Sequence, residues 1–327
     1  MTPDLLQILA CPDCRGVLSS TVAKARDGRI ESGTLCCAAC ARTVPIVGHI
    51  PRFVPADTYA SSFGFQWNTF RKTQLDSHTG VPVSRERLFG ESRWTPADLA
   101  GKRVLDVGCG AGRFAEVALS AGAYLVAMDY STAVDACFAN LGGHPRLSVV
   151  QADVHHLPFG PDSFDYIYCL GVLQHTADAR RTVLALGPPL KPGGRLVLDC
   201  YPRLAANILW PKYWLRPVTR RMPRARLFAA VQWLVPKLLP IARAIAAIPR
   251  LGRRLRYVLP IMTYYRVLPL TDEQQREWAI LDTFDMLAPA HDHPQTAASI
   301  RAWLTEAGLG RVEAAREGLV VARAVKG

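Results

Sequence analysis

The stretch Arg103-Val104-Leu105-Asp106-Val107-Gly108-Cys109-Gly110-Ala111-Gly112-Arg113-Phe114 decides how this chain is read. An apolar run ends in alternate glycines and passes, over Phe114 to Ser120, into a helix-compatible stretch. That order predicts strand, tight turn, helix. Without Cβ atoms, the glycines let the backbone come close to a ligand at the carboxyl end of the strand. A glycine-rich turn alone would also serve a dinucleotide, but two details argue against a nicotinamide cofactor. The spacing is Gly-x-Gly-x-Gly, with Arg113 where the dinucleotide fingerprint has its third glycine. An acid, Asp106, also lies inside the strand, where a pyrophosphate would find it repulsive.

Working outward, Tyr124-Leu125-Val126-Ala127-Met128-Asp129 reads as a second buried strand that ends in an acid. Leu147-Ser148-Val149-Val150-Gln151-Ala152-Asp153 is a third of the same design, and Phe164-Asp165-Tyr166-Ile167-Tyr168-Cys169-Leu170 is a fourth. Lys191-Pro192-Gly193-Gly194 then turns into a fifth, Arg195-Leu196-Val197-Leu198-Asp199. Strands alternating with helix-length segments predict a doubly wound α/β sheet.

With these motifs in register, residues 103 to 201 closely resemble the type 11 branch of class I methyltransferases. The resemblance implies a Rossmann-like sheet of seven strands and S-adenosylmethionine as cofactor. It implies that Asp106 and the turn Gly108, Cys109, Gly110, Gly112 hold the amino-acid end of that cofactor. Asp129, with Tyr130 after it, would take the ribose hydroxyls, and Asp153 with Val154 the adenine edge. Leu170 would close the fourth strand near the transferred methyl. Ser62-Phe63-Gly64-Phe65-Gln66-Trp67, with Gln74 to Ser77 and Thr79-Gly80, looks like the lead-in of a bacterial subgroup of this fold. Asp282-Thr283-Phe284-Asp285 and Trp303 to Leu309 look like its last helix. The closing run Gly318 to Val325 would supply a final antiparallel edge strand.

At the other end, Cys11-Pro12-Asp13-Cys14 is answered by Cys37-Ala38-Ala39-Cys40. Two Cys-x-x-Cys turns on facing hairpins give the four-thiolate cage that Zn²⁺ prefers. A domain of some 55 residues buries little apolar surface, so a structural zinc on Cys11, Cys14, Cys37 and Cys40 would supply much of its folding energy. Cys36 lacks the right spacing to Cys40. Residues 3 to 55 resemble the small zinc-binding activator subunit of tRNA- and protein-methylating enzymes, here fused to its apparent client. The remaining cysteines are isolated in apolar stretches, and Met1 to Ala10 has no basic n-region. Both features lead us to expect a reducing cytoplasm and no secretory signal.

The net charge of +12 belongs to one segment. From Tyr201 to Leu270 the chain has 14 Lys or Arg and no Asp or Glu, whereas the rest carries 25 basic and 27 acidic residues. This insertion mixes arginines with Trp210, Trp214, Trp233 and many aliphatics. Its longest uncharged stretch, Leu227 to Pro236, is too short to span a bilayer. Arg226 to Arg243 is expected as two short amphipathic helices broken at Pro236 and Pro240. The insertion would form a lid over the acceptor pocket, and three readings of its arginines stay open. They lie against anionic lipid at the inner membrane face, they clamp an anionic soluble substrate, or they contact RNA. The density of large aliphatics favours lipid.

The expected layout is a zinc domain (1–55), a linker with helical extension (56–100), a cofactor-binding core (101–202), the basic helical lid (203–270) and the completion of the core (271–327). Methyl transfer needs alignment first, and a base only when the acceptor must lose a proton. Candidates for that base are His175, after the fourth strand, and His291 and His293, before the last helix. His155 and His156 read as loop residues. The sequence thus points to methylation of a small-molecule or lipid-linked acceptor. RNA methylation, or a non-catalytic partner that stabilises another enzyme, are the alternatives.

Overall fold

The computed structural model describes residues 1–55, 58–205, 209–250, 252–255 and 258–327. Positions 56–57, the start of the expected linker, lie outside the described residues. So do 206–208, 251 and 256–257 of the basic insertion, Arg256 among them.

Among the described residues the strands form two sheets. β1 (Leu18–Arg26), β2 (Arg29–Cys37), β3 (Thr43–Val47) and β4 (Ile50–Pro51) make a four-stranded antiparallel meander. β5 (Arg103–Val107), β6 (Tyr124–Asp129), β7 (Leu147–Gln151), β8 (Phe164–Cys169), β9 (Leu190–Cys200), β10 (Leu309–Glu317) and β11 (Leu319–Lys326) make a seven-stranded sheet in the order β10-β11-β9-β8-β5-β6-β7. The five strands β5 to β9 are parallel. Helices on both faces leave β5 to β8 almost wholly buried, which is why they read as near-continuous apolar runs, whereas β9 is exposed at Pro192, Gly193 and Arg195 and buried from Leu196 on. The doubly wound, seven-stranded α/β fold expected from the sequence is the fold observed.

Three expectations need correction. The closing run was expected at the sheet edge, yet β11 lies one strand in, antiparallel to both β9 and β10. Its residues are mostly buried whereas β10 is largely exposed, so the apolar strand takes the interior position and the polar one the edge. The two segments read as one last helix belong to two. Asp282–Asp285 falls in the helix Asp272–Leu287, and Trp303–Glu306 in the helix Ala297–Glu306.

The third correction concerns the insertion, where one helix, Arg224–Ala247, runs unbroken through Pro236 and Pro240. Each proline removes an i→i−4 bond. What offsets that loss is a continuous buried stripe, Leu227, Val231, Val235 and Leu239, packed with Ala279, Ile280, Phe284 and Leu287 of the helix Asp272–Leu287. By length and composition alone this is the one helix among the described residues that could cross a membrane.

The two sheets share one core. Leu5, Ile8 and Leu9 lie in the same buried cluster as Val150, Leu157 and Phe159. Backbone bonds cross the junction from Ala10 N–H to Pro158 O (3.0 Å) and from Gly160 N–H to Ile8 O (2.9 Å). Arg52 forms a parallel bridge with Gln151, so the chain leaving β4 extends the large sheet beside β7.

Candidate functional site

The four cysteines of the small sheet converge. Cys11 Sγ lies 3.6 Å from Cys40 Sγ and Cys14 Sγ 3.4 Å from Cys37 Sγ, with all four sulfurs within 4.8 Å of one another. A tetrahedral ion with ~2.3 Å metal–sulfur bonds needs sulfurs ~3.8 Å apart, so the set fits one. Gly16 keeps the cage open, since a Cβ there would stand 3.0 Å from Cys37 Sγ and 3.3 Å from Cys14 Sγ. The Cys40 backbone N–H, with that of Ala39, holds the Cys37 thiol down at about 7, whereas the neighbouring sulfurs push Cys40 up to about 12. Among the described residues this is the one cluster of His, Cys, Asp and Glu with metal-binding geometry. Cys36, one position along β2, is only half-buried and stays outside it.

At the carboxyl end of the large sheet a cavity of about 1220 Å³ runs from the glycine turn to the basic insertion. Gly108, Gly110 and Gly112 adopt φ of +79°, +52° and +96°, which L side chains rarely tolerate. A Cβ on Gly108 would lie 2.4 Å from a Val172 methyl, and one on Gly110 3.0 Å from the Trp67 indole. The turn is therefore as tight as the sequence implied. Gly108, Cys109, Gly110, Asp129, Tyr130, Asp153, Val154, Leu170 and His175 all line this one cavity. Asp106 and Gly112 stand behind the wall. Asp106 is buried with Oδ2 lacking a hydrogen-bond partner, and burial pushes its carboxyl well above the usual range.

Asp129 ends β6 with both oxygens engaged. Oδ2 accepts the Gly110 N–H (3.0 Å), and Oδ1 accepts the N–H (2.8 Å) and hydroxyl (2.7 Å) of Ser131. Burial raises its pKa and these three donors oppose the rise. Asp153 caps the short helix Val154–His156, accepting the His155 N–H at 2.9 Å, with His156 Nδ1 3.1 Å from its other oxygen. His155 points away, its Nε2 2.9 Å from Thr182 Oγ1.

The candidate histidines separate. His175 is buried between the rings of Phe63 and Tyr201, and its Nδ1 lies 3.0 Å from the His291 carbonyl oxygen. That acceptor fixes the proton on Nδ1 and leaves Nε2 a lone pair with no partner. Burial lowers its pKa, so the ring is neutral at pH 7. His291 and His293 do not line the cavity. His291 packs edge-on to Tyr59, the His293 ring lies tilted against that of His291 at 5.4 Å, and His293 is exposed.

Several cavity groups escaped the sequence reading. Arg87 pairs with Glu91 (2.9 Å) and with Asp199, which also accepts the Gly171 N–H. Burial, reinforced by the Asp199 charge, pushes Glu91 up to about 8. A second chain runs from Arg113 to Gln74 (2.6 Å) to Asp282 (3.1 Å), which also accepts the Tyr264 hydroxyl. Burial, with the charge of Asp285 nearby, raises Asp282 to about 7. Only the i, i+4 pair Arg87/Glu91 left a local signal, because the other partners meet from distant elements.

Two cations of the insertion are paired inside the protein, and one of them, Lys212, also lines the cavity. Lys212 Nζ is 2.9 Å from Asp292 and lies over the rings of Tyr201, Trp210 and Tyr213. Arg216 lies 3.6 Å from the same carboxylate and donates to Met286 O and Pro289 O.

Residues 105–198 match the family model of a methyltransferase domain, and residues 2–48 that of Trm112p-like protein. The demethylmenaquinone methyltransferase of Clavibacter sepedonicus is 36% identical over 103 residues, 31% of this chain and 42% of that protein. The ubiquinone biosynthesis O-methyltransferase of Xylella fastidiosa is 33% identical over 167 residues, 50% of this chain and 66% of that protein. The chain therefore spans about half the length of the curated relatives it matches. The solved complex between the Haloferax volcanii Trm112 methyltransferase activator and a methyltransferase gives a TM-score of 0.46 at 14% identity, covering 80% of this chain and 96% of that one.

Proposed function

From the premise that this chain joins a Trm112p-like domain to a methyltransferase domain, we propose that it transfers a methyl group from S-adenosylmethionine to an apolar small-molecule acceptor. The observation that carries this reading is the single cavity. One end is the glycine turn with Asp129 and Asp153, the other is the aromatic wall of the insertion, and His175 lies on the wall they share.

The donor supplies a methyl on a sulfonium, already activated toward displacement, so the protein's task is alignment and exclusion of water. Gly108 and Gly110 let the backbone approach it. Asp129 and Tyr130 would hold the ribose, Asp153 and Val154 the adenine, and Asp106 with Cys109, Gly112 and Leu170 would shape the amino-acid and methyl end. Trp67 lies against Gly110 and lines the same end. Where the acceptor is a hydroxyl, His175 Nε2 is placed to take its proton, because Nδ1 is committed to the His291 carbonyl. Cys11, Cys14, Cys37 and Cys40, none of which lines the cavity, would hold a zinc whose part is to stabilise the small sheet.

The acceptor class follows from the wall. Leu204, Leu209, Trp210, Met262 and Leu268 make the insertion's share of it largely apolar, with Lys212 its one cation among the described residues, held by Asp292. The relatives named above are called quinone-pathway methyltransferases, and a quinol with a prenyl tail has the matching chemistry. The test is calorimetric titration with S-adenosylmethionine, followed by methyl transfer from labelled donor to quinols with and without such a tail. Donor binding and faster labelling of the tailed quinol support the reading. Failure to bind the donor overturns it. Donor binding with no turnover on any acceptor favours the non-catalytic partner role.

A further inference from the structure

Fourteen large hydrophobic side chains are exposed among the described residues, and nine of them fall between Leu209 and Val267. Such clustering on one segment marks a contact surface, because scattered exposure would need no explanation. Leu209, Trp214 and Val258 are 73%, 66% and 61% exposed, yet they also line the cavity. They therefore form its mouth, and Val218, 66% exposed, stands one helical turn beyond Trp214.

The helix Arg224–Ala247 repeats the pattern. Opposite its buried stripe, Trp233, Lys237 and Ile241 succeed one another at four-residue spacing, all exposed, with Lys237 Nζ 3.4 Å from the centroid of the Trp233 ring. Arg226 lies on the same outward face. The segment contains no acid, and among the described residues Arg220, Arg221, Arg226, Lys237 and Arg250 form no ion pair. Exposed indoles and aliphatics interleaved with unpaired cations fit an interfacial surface whose partner is apolar and negatively charged. A second copy of this chain would oppose cations to cations. A spanning helix would have to strip Val231 and Val235 from Phe284.

We propose that this face docks on an anionic lipid bilayer and holds the cavity mouth against it. The docking rests on these surface residues alone. The consequence, that the acceptor enters from the lipid, rests on the reading of the cavity given above.

The experiment uses the full chain with vesicles of phosphatidylcholine alone or containing one third phosphatidylglycerol. Sedimentation and the shift of tryptophan emission are the readouts. Binding at least ~10-fold tighter to the anionic vesicles, and weakened as strongly by high salt, is expected. Trp233→Ser with Ile241→Ser, and separately Val218→Ser, should each weaken vesicle binding by ~10-fold. These exposed positions lie outside the cavity, so S-adenosylmethionine affinity should not change. Equal binding to both vesicle types, or wild-type binding by the variants, overturns the proposal. Attachment that survives an alkaline carbonate wash overturns it in favour of a spanning helix. A short RNA that displaces the protein from vesicles, or a salt-insensitive dimer lost in Val218→Ser, overturns it in favour of those partners. Donor binding measured on the same samples separates failure of this surface from failure of the enzyme reading.

Discussion

Phe53 donates its backbone N–H to the carbonyl of Gln151 at 2.8 Å, while the neighbouring Arg52 guanidinium donates to the Gln151 side chain at 3.0 Å. Gln151 is the last residue of β7, the edge strand of the large sheet on that side, so the small domain covers an edge that would otherwise be open. Disturbing the small sheet should therefore be felt in the large one.

Cys37→Ser is expected to remove bound zinc and to lower the melting temperature of the whole chain by at least ~5 °C. Zinc content and calorimetric melting on one sample check this. Full zinc retention would mean that these four sulfurs are not the site. Arg52→Ala, which loses Gln151 and the partly exposed Asp135, should cost only about 1 kcal/mol.

Asp129→Ala should weaken S-adenosylmethionine binding by roughly 10- to 100-fold, the worth of a charge-assisted pair of hydrogen bonds. It also strands the Gly110 N–H and the Ser131 donors, so a stability loss of about 1–3 kcal/mol should accompany it. Asp129→Asn keeps an acceptor and should recover much of the stability but little of the affinity. Titration calorimetry and thermal melts separate the two effects.

His175→Ala should leave donor affinity within ~3-fold and slow turnover on a hydroxyl acceptor by ~10²–10⁴-fold. Burial lowers the His175 pKa, so the wild-type profile of kcat/KM should climb with pH along a limb lying below about 6.5 and be flat above it. A variant that keeps the limb would show that another group carries it.

Asp282→Asn should stabilise the protein, and more so at higher pH. The folded value of about 7 stands above the unfolded value near 3.9, so the folded state binds more protons between them. Stability contributed by the protonated acid is present below that window and lost as pH rises through it. The advantage of Asn should grow by at most ~1.4 kcal/mol per pH unit from about 4 to 7 and then level off. Melting curves at pH 5 and pH 8 decide, and a gain independent of pH would contradict the assignment.

The parts of the molecule written in local order were legible from the sequence. A strand, three glycines and a helix occupy consecutive residues, and each Cys-x-x-Cys turn is complete in four. Strand β11 was misplaced because its neighbours are chosen across the chain, Val320 pairing with Cys200. The unbroken helix through Pro236 and Pro240 was hidden for a related reason. Proline is a local signal, whereas the stripe that overrides it is completed by Phe284 and Leu287. The polar groups of the cavity were least visible, since Asp282 gains its raised pKa from burial and the charge of Asp285, while its partners Gln74 and Tyr264 come from distant elements.

Because one peptide joins the small domain to the sheet edge it covers, the two never have to find each other in solution. A short tether holds a partner at an effective concentration in the millimolar range. At about 1 mM, even an interface with a dissociation constant near 10 µM would be about 99% closed. The bonds around Gln151 can thus be few and partly solvated and still keep the edge covered at any abundance of the protein, which a separate subunit could match only through a far tighter interface.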